Sequence, residues 1–202
     1  PNLEAYDHYL AGRDLLHGRD VARATSRLGR AIELDPGFAE AHAEWAIARL
    51  IGTPTAAQLA AAGAAIDRAI ELEPQLLRAQ AARGLWLMQS RPPDPGGAET
   101  VLRAVLAQDP NMVDALLWLF DALRSQGRND ESTEVLQRAH RIDPLHPSIA
   151  TNLSGLLLEQ GRTDEAVAVL EGNIQGPKRA VPAFKGLARI RPVHVQLVEL
   201  NE

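Results

Sequence analysis

Apolar residues recur along this chain at three- and four-residue intervals, in stretches separated by short polar or Gly/Pro-rich segments. That period places them on one stripe of an α-helix. Between Val113 and Gln126 the stripe is Ala115, Leu116, Leu119, Ala122 and Leu123. Gly127 then predicts a helix stop with a left-handed residue. Asn129-Asp130-Glu131 predicts a new helix, opened by a capping side chain and an acidic first turn. Its stripe is Val135, Leu136 and Ala139.

This two-helix pattern repeats. Ala31-Ile-Glu-Leu-Asp-Pro36 returns as Ala69-Ile-Glu-Leu-Glu-Pro74, as Val105-Leu-Ala-Gln-Asp-Pro110 and as Ala139-His-Arg-Ile-Asp-Pro144. A proline cannot donate inside a helix, so each marks where one helix stops and the next begins. The prolines are 38, 36 and 34 residues apart, which fits a unit of about 34 residues with small insertions in early copies. Small residues fall at equivalent places: Gly12, Ala46, Gly84 and Ser154 in the first helices, and Ala24, Ala62, Ala98, Ser132 and Ala166 in the second. They predict close helix approach. Phe120 breaks the first series and predicts a wider or rotated fourth pair.

The arrangement resembles the tetratricopeptide repeat over about residues 5–176. Gly12, Ala24, Leu28, Ala31 and Pro36 carry the likeness in one copy, and Leu119, Ala139 and Pro144 in another. It implies an all-α solenoid: a right-handed superhelix of about five antiparallel helix pairs with a C-terminal capping helix. The expected repeats are 5–38, 39–76, 77–112, 113–146 and 147–176, in an array of residues 1–177, with a basic tail at 178–202. Departures occur. The aromatic usual early in the first helix is replaced by His8, His42, Gln80, Leu116 and Ala150, and the fifth copy loses the small apolar residue before Pro177. Residues 2–13 are also similar to the opening of repeat regions in bacterial multidomain proteins, behind an adenylate-cyclase-like, kinase or winged-helix regulatory domain. That likeness implies the sensor or scaffold half of a signalling protein.

Two segments lie inside copies and predict loops bulging from one edge: Gly52-Thr53-Pro54-Thr55, with Thr55 as a helix cap, and Arg91-Pro92-Pro93-Asp94-Pro95-Gly96-Gly97. Both also read as a proline-rich partner site. Past Pro177, Lys178, Arg179, Lys185, Arg189 and Arg191 interleave with Val181, Phe184, Leu187 and Ile190. This is a capping helix, a basic amphipathic segment, or a tail that docks in this chain's groove or a second copy's.

Composition narrows the chemistry. The 202 residues are 46% apolar and 23% charged, an ordinary globular profile. The net charge of -5 argues against a general grip on nucleic acid. No apolar run is long enough for a membrane span. Pro1 stands where an initiator Met is absent, which predicts a fragment or processed form. There is no cysteine, hence no disulfide, thiolate metal site or cysteine nucleophile, and both cytoplasm and periplasm fit. The six histidines form no metal-binding pattern, and neither a phosphate loop nor a nucleophile elbow occurs. The chain reads as non-enzymatic, with no cofactor.

A surface is what remains. By the resemblance, first helices line a concave groove for a protein or peptide partner. The lining expected there is Tyr6, Tyr9 and Arg13; Glu40, Glu44 and Ile47; Arg78, Ala82, Leu85 and Met88; Asp114, Leu117, Trp118 and Asp121; and Ser148, Thr151 and Asn152. Trp118, Tyr9, Leu85 and Met88 are the expected anchors, and Arg13 and Arg78 the expected partners of acidic groups. Relatives that hold chaperone tails use a lysine and asparagine pair; here Tyr9, Arg13, Ala43 and Ile47 stand in those places, so that clamp is not implied.

Overall fold

The computed structural model describes residues 2–174. Ten helices follow one another, with no strand among the described residues: α1 (Leu3–His17), α2 (Val21–Leu34), α3 (Ala39–Leu50), α4 (Ala56–Leu72), α5 (Leu77–Gln89), α6 (Pro95–Gln108), α7 (Val113–Ser125), α8 (Asn129–Ile142), α9 (Pro147–Glu159) and α10 (Thr163–Ile174). The chain divides into two compact units, Pro1–Pro110 and Asn111–Glu202. The basic tail and Pro177 lie outside the described residues.

In the first unit the hairpins are α1/α2, α3/α4 and α5/α6, and each packs on the next through α2 against α3 and α4 against α5. First helices also touch, α1 with α3 and α3 with α5. In the second unit α7/α8 and α9/α10 are the hairpins, joined through α8 and α9.

The same residue positions build every hairpin. Ala24, Ala62, Ala98, Ser132 and Ala166 are fully buried, and so are Leu28, Ile66, Leu102, Leu136 and Leu170, four places further on. The close approach expected at the small first-helix residues is severe in two hairpins. A Cβ added at Gly12 would lie 2.6 Å from Leu28 Cγ, and one at Gly84 would lie 2.6 Å from Leu102 Cγ. Phe120 is nonetheless buried inside its hairpin, 4% exposed.

The joints between hairpins share one geometry. Asp35, Glu73, Asp109 and Asp143 each precede a proline, which disfavours helical backbone at the residue before it. Each is accordingly extended, with φ of -142°, -141°, -122° and -131°, and each donates its N–H to a carbonyl four residues back. His42 and Gln80, in place of an aromatic, clamp two of these joints: each side chain bonds the preceding proline's carbonyl, Pro36 at 3.1 Å and Pro74 at 2.8 Å.

The turns inside the first, fourth and fifth hairpins share a geometry. Gly127 and Gly161 take left-handed backbone, as the turn requires, and Arg19 holds the same place in the first hairpin with φ 62°. Two expectations are corrected. Asn129 does not cap α8: the cap is Arg128, with no side-chain bond, and the hydroxyls of Ser132 and Thr133 instead donate back to the Asn129 carbonyl. The segment 91–97 is not all loop. Asp94 accepts from the Gly97 N–H at 2.8 Å, and Pro95 opens α6 where its missing donor costs nothing. Thr55 does cap α4, in a reciprocal capping box with Gln58.

Candidate interaction surface

Tyr9, Arg13, Glu44 and Arg78 lie close together on the first-helix face of the first unit. Tyr9 is 8% exposed and belongs to the core with Phe38, whose ring centre is 4.8 Å away. Tyr9 is therefore not the accessible anchor expected from its place on the first helix; the large ring of Phe38, at the cap of α3, folds over it. Tyr6 stays accessible at 43% and adjoins both rings, at 6.0 Å and 6.3 Å between centres. Arg13 is half-buried, with its guanidinium carbon 5.5 Å from the Tyr9 ring centre and Nη1 donating to the Tyr9 hydroxyl over 3.4 Å. Its Nε is buried without a partner among the described residues. Burial pushes the Tyr9 phenol up in pKa, with Arg13 opposing and Glu44 and Glu40 reinforcing.

Arg78 does not wait for an acidic ligand. Its Nε and Nη2 donate to the two Glu44 carboxylate oxygens at 2.8 Å and 3.1 Å, and Glu44 is 4% exposed. This bidentate pair spans neighbouring first helices and neutralises both charges inside the packing. In the sequence the two charges are 34 residues apart, four short of the 38-residue spacing of these copies, so repeat equivalence does not pair them. Ile47 and Ala82 are also buried rather than lining, while Glu40, Leu85 and Met88 are half-buried.

In the second unit, Leu117 is buried and Trp118, Asp114, Ser148 and Asn152 are half-buried. Thr151 is exposed, its hydroxyl bonded to the Pro147 carbonyl at 2.8 Å. Asp121 is exposed, yet the protein around it strips enough hydration to push its carboxyl up to about 6, with Arg124 pulling the other way. Its contact with water screens what that shift is worth to stability.

Sequence reasoning missed the tryptophan–arginine pairs. Trp86 donates to the Leu59 carbonyl at 2.9 Å and lies against Gly63. Arg83 sits over the Trp86 ring and pairs with Asp67. Arg49 covers Trp45 at 4.7 Å. Their signal was a glycine on a second helix facing each ring: Gly29 for Trp45, Gly63 for Trp86. The two bulging loops meet, for Arg91 donates to the Pro54 carbonyl at 3.1 Å. Among the described residues no cluster of His, Asp or Glu could hold a metal ion, and no helix is long and apolar enough to cross a membrane.

Comparison with known proteins bears on this arrangement. A family model described as tetratricopeptide repeat matches residues 93–139 and 123–190. No curated protein matches the chain. Among solved structures, a thermophilic tetratricopeptide-repeat protein of Thermus thermophilus is similar, with a TM-score of 0.76 at 17% identity over 92% of this chain and 98% of that one. PilW, a type IV pilus biogenesis factor, gives 0.62 at 18% identity over 86% and 78%. PilF of Pseudomonas aeruginosa gives 0.61 at 17% identity over 98% of each. These likenesses concern the fold. Helical hairpins and a shared joint geometry accord with the family match, which places tetratricopeptide repeats in residues 93–190.

Proposed function

We propose that this protein is a non-catalytic interaction scaffold that binds a peptide segment of a partner protein on the first-helix face of its first unit. The supporting observation is Arg13: a half-buried cation with no carboxylate partner among the described residues, set against the Tyr9 ring, which the accessible ring of Tyr6 adjoins. A peptide carrying an acidic side chain next to an apolar one suits that pair, because a charge-assisted bond and a ring contact are gained together. YrrB, a tetratricopeptide-repeat protein with an unusual peptide-binding site, has a related fold, with a TM-score of 0.50 at 17% identity over 89% of each chain. In the second unit, Trp118, Asp121 and Asn152 are proposed as contacts of that unit's own.

The test is selection of peptides from a random library on the intact chain, followed by calorimetric titration of Arg13→Glu and Trp118→Ala. Loss of one charge-assisted bond predicts about 10- to 100-fold weaker binding by Arg13→Glu. Unchanged affinity in both variants, or no selected peptide, overturns the reading.

A further inference from the structure

We infer that α1 carries a docking face for the basic segment 178–191 of a second copy of this chain. Leu3 and Leu10, seven residues apart, form one row along α1 and are 77% and 40% exposed. Asp7 and Asp14, also seven apart, form the adjoining row, and Glu4 precedes Asp7 by one turn; all three carboxylates are exposed. None has a cationic partner among the described residues. Acidic groups on other helices do: Glu33 pairs with Arg30, Glu71 with Arg68, Glu165 with Arg162.

The repeat explains what this face refuses. Phe38, Ala41, Trp45 and Ala48 hold in the second copy the places that Glu4, Asp7, Ala11 and Asp14 hold in α1. There they pack against the preceding hairpin, with Ala41 and Ala48 at 0% and 1% exposure. An apolar hairpin laid on α1 in the same way would strip water from three carboxylates and offer no cation in its place. The occupant must bring cations together with apolar side chains. Segment 178–191 has five basic residues, no carboxylate, and Val181, Phe184, Leu187 and Ile190 interleaved. Because the face and the segment are different parts of one chain, the contact joins copies head to tail.

The chain's two lysines, Lys178 and Lys185, both lie in that segment, which makes the test selective. A mixture of unlabelled and nitrogen-15-labelled intact chain is treated with a carbodiimide, which joins carboxylates to amines in direct contact. Cross-links of mixed isotope joining Lys178 or Lys185 to Glu4, Asp7 or Asp14 are expected. Sedimentation should show association that weakens with salt, and Asp7→Lys with Asp14→Lys should raise the dissociation constant about tenfold or more. Reversing Lys178 and Lys185 to Glu in that variant should restore association. Isotopically pure cross-links, showing the tail bound to its own chain, overturn the proposal. So do cross-links confined to other carboxylates, or a monomer at concentrations up to about 0.5 mM, where even a weak contact is populated.

Discussion

Two glycines of the first unit separate packing from backbone propensity. Gly12 in α1 and Gly29 in α2 both lie inside helices, so alanine at either raises helix propensity by about 1 kcal/mol. Their surroundings differ. At Gly29 a new Cβ would lie 3.5 Å from Trp45 Nε1, an ordinary contact. At Gly12 it would lie 2.6 Å from Leu28 Cγ, 2.9 Å from Cδ2 and 3.3 Å from the Leu28 nitrogen. Cγ moves only if χ1 turns and carries both methyls with it, and the isobutyl group must retreat by about 0.8 Å to reach ordinary contact distance. Leu28 is fully buried, so that movement pushes on neighbours packed at interior density. Overpacking of this kind costs about 1–3 kcal/mol. The upper half of that range, offset by the propensity gain, leaves Gly12→Ala destabilised by about 1–2 kcal/mol. Gly29→Ala should be stabilised by up to about 1 kcal/mol, less if the tryptophan resists. Urea unfolding followed by circular dichroism measures both. A slope of about 2 kcal/mol per molar turns the Gly12→Ala loss into a midpoint lowered by about 0.5–1 M. Equal midpoint shifts for the two variants would refute the claim that helix approach in this hairpin is set by the Gly12–Leu28 contact.

Removing one member of the Glu44–Arg78 pair leaves a buried charge alone, so Arg78→Met should cost about 3 kcal/mol, while Glu44→Met with Arg78→Met recovers most of it; a double variant no better than the single one, by urea midpoint, rules out this account. Burial lowers the His42 pKa, with the Pro36 bond opposing. The unfolded chain then takes up a proton first, near pH 6.5, so the histidine's contribution is full above that pH and is lost as pH falls below it. His42→Gln, which Gln80 shows can make the same bond, should flatten the fall in stability between about pH 7.5 and 5.5; an unchanged slope counts against it. Arg19 bears the strain of a left-handed backbone, so Arg19→Gly should raise the unfolding midpoint by the equivalent of about 0.5–1 kcal/mol, and a drop would show that its side chain matters more than its φ.

The hairpins were legible because their determinants are local and recurrent. Proline after Asp35, Glu73, Asp109 and Asp143 ends a helix wherever it appears, and Leu28, Ile66, Leu102, Leu136 and Leu170 mark the same interior place. The surface was less legible, since repeat equivalence says which helix face a residue occupies but not what lies over it. Tyr9 holds a lining position, and Phe38 covers it. Arg78 holds one too, and Glu44 takes its charge. Asn129 looked like a cap because of its residue type, but the helix began one residue earlier, which makes Asn129 its first helical residue.

The extended residue before each repeat proline has a consequence for how such a chain grows. A block copied from Asp35 to Leu72 brings its own exit geometry and begins with the geometry its neighbour already offers. Duplication or excision of a whole block therefore leaves every seam chemically familiar, so the number of hairpins is free to drift by gene rearrangement while the rules at each seam stay the same.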